Sequence, residues 1–222
     1  MISTALVKKS VYFSLFVQIT TGIIQLYGIF LTLPKEHEIL KSILATETIV
    51  QFIEAAFYVW LAYGLYKMKG VTSVRYFDWV ITTPMMLLAT IIYFKYLEST
   101  KILTFYGFLE NNQTNILKIF GYNWLMLLFG YLGETKKIPL SVGVPVGFVF
   151  FALSFYTMYV EYATTPQAIQ LFNFLLVVWS LYGVAAIMET NLKNLMYNIL
   201  DIISKNFYGL FLFYKVWNIN RT

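Results

Sequence analysis

Cysteine is absent from the 222-residue chain, which excludes disulfides and thiolate metal sites. Histidine occurs once, as His37 in the charged run Lys35-Glu36-His37-Glu38. A lone imidazole cannot assemble a metal site, and this one reads as a solvated loop residue. Charge is scarce too. Only 12% of residues are Asp, Glu, Lys or Arg, about half the share of an ordinary soluble domain. The net charge of +5 is spread along the chain rather than gathered into a basic tract. It therefore reads as loop charge facing lipid headgroups, and no nucleic-acid surface is expected. What is abundant is apolar side chain, at 59% of the residues. A bilayer-crossing helix takes about 20 such residues. Seven crossings with short links would use nearly the whole chain, leaving one all-α membrane domain over residues 1–222.

Charge-poor runs mark seven spans: Ser10 to Thr32, Lys41 to Tyr66, Thr72 to Tyr96, Asn115 to Gly133, Ile138 to Ala163, Pro166 to Met188 and Leu192 to Trp217. Backbone groups in lipid must be satisfied within their own segment, so these runs are expected to be helices. The alternating pattern of a membrane β-barrel is not visible. Glu98 to Thr114 reads as the longest link, polar at Glu110-Asn111-Asn112-Gln113-Thr114. Lys8 and Lys9 precede an apolar run that lacks a small-residue cleavage site, so a first span is expected rather than a leader. The positive-inside rule does not decide orientation. Lys35, Lys41, Lys95, Lys101, Lys215 and Arg221 fall on one side, and Lys8, Lys9, Lys67, Lys69, Lys136, Lys137 and Lys193 on the other. The triplets Asn112-Gln113-Thr114 and Asn220-Arg221-Thr222 fit a glycosylation pattern that arises often by chance.

Five ionisable residues fall well inside these spans: Glu54, Arg75, Asp78, Asp201 and Lys205. Each costs roughly 2.5–3.5 kcal/mol at a helix centre and so needs a partner or a purpose. Asp201 and Lys205 share a helix face at i, i+4, and Arg75 and Asp78 share another at i, i+3. A structural ion-pair cluster between the third and seventh spans is the plain reading. The surrounding residues argue for more.

The third span reads Arg75-Tyr76-Phe77-Asp78-Trp79-Val80-Ile81-Thr82-Thr83-Pro84, and the seventh reads Leu200-Asp201-Ile202-Ile203-Ser204-Lys205. The fourth contains Leu125-Met126-Leu127-Leu128-Phe129-Gly130-Tyr131-Leu132-Gly133-Glu134, and the sixth Trp179 followed at three residues by Tyr182. Together these resemble the microbial rhodopsins, in particular proteorhodopsins, and the overall pattern also resembles rhodopsins of large viruses. The resemblance implies an integral, multi-pass seven-helix photoreceptor rather than an enzyme, with an extracellular N-terminus. It implies all-trans retinal held covalently as a Schiff base on Lys205. Asp78 is implied as primary counterion and proton acceptor, hydrogen-bonded by Thr82, with Asp201 as second counterion and Arg75 holding both carboxylates ionised. Trp79, Thr83, Met126, Gly130, Trp179, Tyr182 and Ser204 are implied around the polyene, and Thr83 and Asn123 as a bridge between helices three and four. Gly147 and Phe150 are expected at the ring end. Apolar Met86 is expected to give green rather than blue absorption.

The chain also departs from that pattern. Ala89 stands eleven residues after Asp78, where pumps of the family carry a proton-donating acid. Val59 stands where proteorhodopsins place a histidine beside the counterion. Gly183 and Ala186 replace a proline and a tryptophan, and Glu189 alone supports no paired-glutamate release site. Polar stripes appear instead at Ser14, Gln18, Thr21 and Gln25, at Glu47, Gln51 and Glu54, and at Asn194, Asn198, Asp201 and Lys205, each at helical spacing. The glutamate row resembles the pore lining of channelrhodopsins, and carboxylate-lined paths favour cations. Interhelical hydrogen bonding is the alternative use of such residues. The leading expectation is a light-gated cation channel with Glu54, Glu47, Gln51, Gln18, Asn194 and Asn198 along the ion path. A weak outward proton pump and a sensory rhodopsin are the other two. Lipid and retinal are the expected partners, cations or protons the transported species, and assembly into a homo-oligomer is left open.

Overall fold

The computed structural model describes residues 2–64 and 71–221. Six long helices come first: α1 (Thr4–Ile29), α2 (Ile39–Gly64), α3 (Val71–Glu98), α4 (Phe105–Glu134), α5 (Leu140–Tyr162) and α6 (Pro166–Ala186). All six are long and apolar enough to cross a membrane. The seventh rod is composite. It joins α7 (Thr190–Asp201), a π-helical stretch (Ile202–Phe207) and α8 (Tyr208–Arg221) end to end. The result is a seven-helix bundle in which α1, α2, α3 and the seventh rod pack together on one side and α4, α5 and α6 complete the ring. Tyr66, Lys67 and Lys69, expected at the end of the second span and in the link after it, and Thr222 lie outside the described residues.

Local chemistry sets the helix starts. The Ser3 and Thr104 side chains accept from the Leu6 and Gly107 amides, each at 3.2 Å, and cap α1 and α4. Thr165 does the same for α6 through the Ala168 amide at 3.2 Å, with Pro166 in the first turn, where its missing N–H costs nothing. The Thr104 cap corrects the fourth span. The polar run 110–114 is not a link but lies in the first turns of α4, which therefore starts ten residues before Asn115. Its amides dock on α5: Tyr162 donates to Asn112 Oδ1 at 3.0 Å, and Asn115 donates to Glu161 Oε2 at 2.9 Å. Hydropathy cannot show a helix whose inward face is satisfied by amide bonds.

The interior is divided along the bundle axis. Toward the carboxyl-terminal end it is apolar, with Ile43, Leu44, Ile92, Phe94, Met158 and Val216 fully buried. Midway it carries the charges. The outer faces present Phe13, Phe16, Phe30, Val177 and Leu117 as large exposed apolar side chains, the surface that lipid covers. Pro84 interrupts α3 and cannot donate to the Val80 carbonyl one turn back. At membrane depth no water replaces that donor. Trp124 of α4 fills the role, its indole N–H donating to the Val80 carbonyl at 3.0 Å. Trp124→Phe should therefore lower stability by about 1–2 kcal/mol, read as a drop in thermal midpoint in detergent. In a Pro84→Ala background, where the replacement residue supplies its own backbone N–H, the same change should cost little; an equal loss in both backgrounds contradicts this account.

Candidate functional site

The π-helical stretch builds the site. Its wider turn accommodates one extra residue, and it buries three consecutive side chains, Ser204, Lys205 and Asn206. In a regular α-helix three neighbours spread over most of the circumference. Here all three point inward. Lys205 Nζ reaches Glu54 Oε1 at 2.7 Å, Asp78 Oδ2 at 3.2 Å and Asp201 Oδ1 at 3.7 Å. All four side chains are buried. The charge pattern expected from the sequence, two acids and two bases, is thus incomplete. Glu54 belongs to the cluster and makes the shortest of the three contacts.

Arg75 lies on the amino-terminal side of that cluster. Its guanidinium donates to Asp201 Oδ2 at 3.1 Å and to Asn198 Oδ1, and sits 5.6–5.8 Å from the rings of Phe57, Tyr58 and Tyr197. Cation–π contact and a bonded carboxylate compensate its burial. Asp201 is further held by the hydroxyls of Tyr58 at 2.7 Å and Tyr182 at 2.8 Å. Arg75 makes its ion pair with Asp201. One expectation is corrected here. Thr82 donates to the Asp78 backbone carbonyl at 3.0 Å, not to its carboxylate, because a hydroxyl four residues on lies over its own helix backbone.

From Lys205 a cavity runs between α3, α4, α5 and α6. Trp79, Thr83, Met126, Gly130, Trp179, Tyr182 and Ser204 all line it, together with Met86, Gly183 and Ala186. Asn123 donates to Thr83 Oγ1 at 2.7 Å and ties α4 to α3 beside it. At the far end Gly147 faces the cavity but Phe150 does not. Phe150 stacks on Phe129, and Phe148 and Phe151 take its place. Val59 is 39% exposed on the lipid side of α2 and is not beside Asp78; Glu54 and Tyr58 occupy the inward face instead.

The model of the family described as "Bacteriorhodopsin-like protein" matches residues 9–219. The chain belongs to the bacteriorhodopsin-like family.

Among solved structures it is similar to the viral rhodopsin OLPVRII, with TM-score 0.86 and 30% identity over 96% of this chain and 99% of that one. The proton-pumping rhodopsin AR2 of the marine alga Acetabularia acetabulum shares the fold at TM-score 0.75 and 21% identity, covering 100% and 99%. Bromide-bound halorhodopsin of Halobacterium salinarum does so at TM-score 0.74 and 15% identity, covering 98% and 96%. No curated protein matches the sequence. The family implies a retinal chromophore. The residues present fit one: a long apolar slot, aromatic on its walls, ends at one buried amine faced by carboxylates.

In this member of the family the polar stripes form a buried seam between α1, α2 and the seventh rod, and its two halves differ. Toward the amino-terminal end the polar groups bind one another. Asn198 donates to Ser10 Oγ at 2.7 Å, Ser14 donates to the Asn198 carbonyl at 3.1 Å, and Asn194 donates to Thr72 Oγ1 at 3.1 Å. Asn194 and Asn198 thus serve as interhelical bonds. Toward the other end Asn206 donates to Gln18 Oε1 at 3.0 Å and Gln25 donates to Gln51 Oε1 at 3.4 Å. There, among the described residues, Gln18 Nε2, Gln25 Oε1, Glu47 Oε1, Gln51 Nε2 and Asn206 Oδ1 are buried without a hydrogen-bond partner, against Asn194 Oδ1 in the other half.

Sequence reasoning misses Tyr58, Asn206, Tyr208 and a buried pair. Lys193, expected at the outer end of the seventh span, meets half-buried Glu134 at Oε2, 2.7 Å away, and fastens α7 to the end of α4. Tyr58 is available from spacing alone, four residues beyond Glu54 on the same face. The buried position of Asn206 depends on the π-helical turn, which no periodicity reveals. Arg75→Leu removes one partner of a buried pair and leaves Asp201 uncompensated, so it should destabilise by about 3–5 kcal/mol. The measurement is the thermal midpoint beside Lys41→Leu, a half-buried surface control that should change little. Equal behaviour of the two variants contradicts the assigned role of Arg75.

Proposed function

We propose that this chain is a light-gated cation channel that carries all-trans retinal covalently on Lys205, with its N-terminus outside the cell. The observation that supports a channel is the contact between Glu54 and Lys205. Glu54 ends the seam of unpartnered polar atoms on α2 and also makes the 2.7 Å ion pair with Nζ. A change of charge at Nζ is therefore felt at once by a residue of the seam. Retinal, held by Lys205 when bound, would supply light absorption and isomerisation at Nζ.

The chain's own groups do the rest. Asp78 Oδ2, at 3.2 Å, is placed to accept a proton from Nζ. Asp201 is already held by Arg75, Tyr58 and Tyr182 and keeps its position. Loss of the positive charge at Nζ releases Glu54, whose Oε2 has no partner. Gln18, Gln51 and Asn206 carry unpartnered amide atoms in the same seam, a set of oxygens and dipoles suited to a partly hydrated cation. A weak outward proton pump is the second reading, supported by the same short path from Nζ to Asp78.

Whole-cell voltage clamp with added retinal tests this. Illumination should give a current that changes sign with voltage and follows the cation gradient, and Glu54→Gln should shrink or reshape it. A current of one direction at every voltage supports the pump and overturns the channel.

A further inference from the structure

Phe148, Phe151 and Phe155 stand at spacings of three and four on α5 and so share one helix face. Phe155 meets α6 ring to ring, with centroids 5.8 Å from Phe172 and 5.6 Å from Trp179. Phe151 continues the row, 4.4 Å from Phe155 and edge-to-face with Phe148 at 6.0 Å. One turn beyond Trp179, α6 offers no side chain, because the residue is Gly183. A Cβ there would stand 2.4 Å from Phe148 Cζ and 2.5 Å from Cε2, well inside the roughly 3.5–4.0 Å at which carbon atoms touch. The Phe148 ring thus rests on bare helix backbone.

Helix geometry gives no reason for glycine at this place. Gly183 lies within α6, where glycine is about 1 kcal/mol less favourable than alanine. The reason is space. Phe148 and Gly183 both line the cavity that begins at Lys205, while their chain neighbours Val149 and Val184 are exposed on the lipid side. A methyl group at 183 has to move the ring. Phe151 holds one flank of it, and the open side is the cavity. A ring displaced that way shortens the slot at the end away from Lys205.

We propose that Gly183 and Phe148 together set the length of the slot: the glycine receives the phenyl ring and so admits an aldehyde with a bulky ring end. The assignment rests on the reading of Lys205 as the retinal-bearing residue. Gly183 acts through Phe148 and is a positioning residue.

Gly183→Ala, alone and combined with Phe148→Ala, tests it with two aldehydes. One is all-trans retinal, and the other is farnesal, which is shorter and has no ring. Adducts on Lys205 are fixed by borohydride reduction and counted by mass spectrometry. Gly183→Ala should lower retinal uptake by at least roughly tenfold and leave farnesal uptake unchanged. The double variant should recover retinal uptake. All-trans retinol, which has no aldehyde to react, should show the same loss and recovery, read as energy transfer from tryptophan. The thermal midpoint of the retinal-free Gly183→Ala protein should not fall, since the ring moves into the cavity and alanine favours the helix. Equal retinal uptake by wild type and Gly183→Ala overturns the role of Gly183 and leaves the Lys205 reading intact. Equal loss of both aldehydes without recovery in the double variant assigns Gly183 to folding alone and overturns the proposal as well. Failure of the wild type to form a retinal adduct on Lys205 overturns both readings.

Discussion

A buried ammonium at the centre of a membrane protein must be neutralised by groups that are themselves costly to bury. Lys205 meets that constraint with three carboxylates within 3.7 Å. Arg75 is the second cation and is bonded to one of the three. Three acids against two bases leave one negative charge too many for a low-dielectric interior. Transfer of one proton from Nζ to a neighbouring carboxylate would therefore rearrange the charges of the whole cluster. Such a site responds to any event that alters the proton at Nζ.

The rest of the bundle keeps this cluster in place. The π-helical turn brings Ser204, Lys205 and Asn206 inward together, so that one stretch of backbone serves the cavity, the carboxylates and the polar seam at once. Tyr58, Tyr182 and Asn198 fix Asp201 and Arg75, which makes that side rigid. Glu54 and Asp78 each retain an unpartnered oxygen. The asymmetry assigns the parts: a held counterion on one side, and two acids able to change partners on the other.

Much of this is legible in the order of amino acids alone. Intramembrane charges are rare enough that Arg75, Asp78, Asp201 and Lys205 stand out by cost, and the motifs that hold Trp79, Thr83, Trp179 and Tyr182 place them around one slot. What escapes does so for physical reasons. The start of α4 is held by a Thr104 cap and amide contacts with α5, which hydropathy does not register. Phe150 and Val59 fall elsewhere than expected because the phase of a helix that is apolar all round cannot be read from its sequence. Glu54 reads as a pore residue and as one of the five intramembrane charges, but its spacing does not show that it makes the shortest contact with Lys205. The halves of the polar seam look alike as stripes; the hydrogen bonds show that most of the unpartnered atoms lie in one of them.

The central claim is that Lys205 Nζ is the attachment point for retinal. The most direct measurement is the visible absorption spectrum of purified wild-type and Lys205→Ala protein after addition of all-trans retinal. The account predicts a visible pigment band in the wild type and none in the variant. A band of equal strength in Lys205→Ala would contradict it.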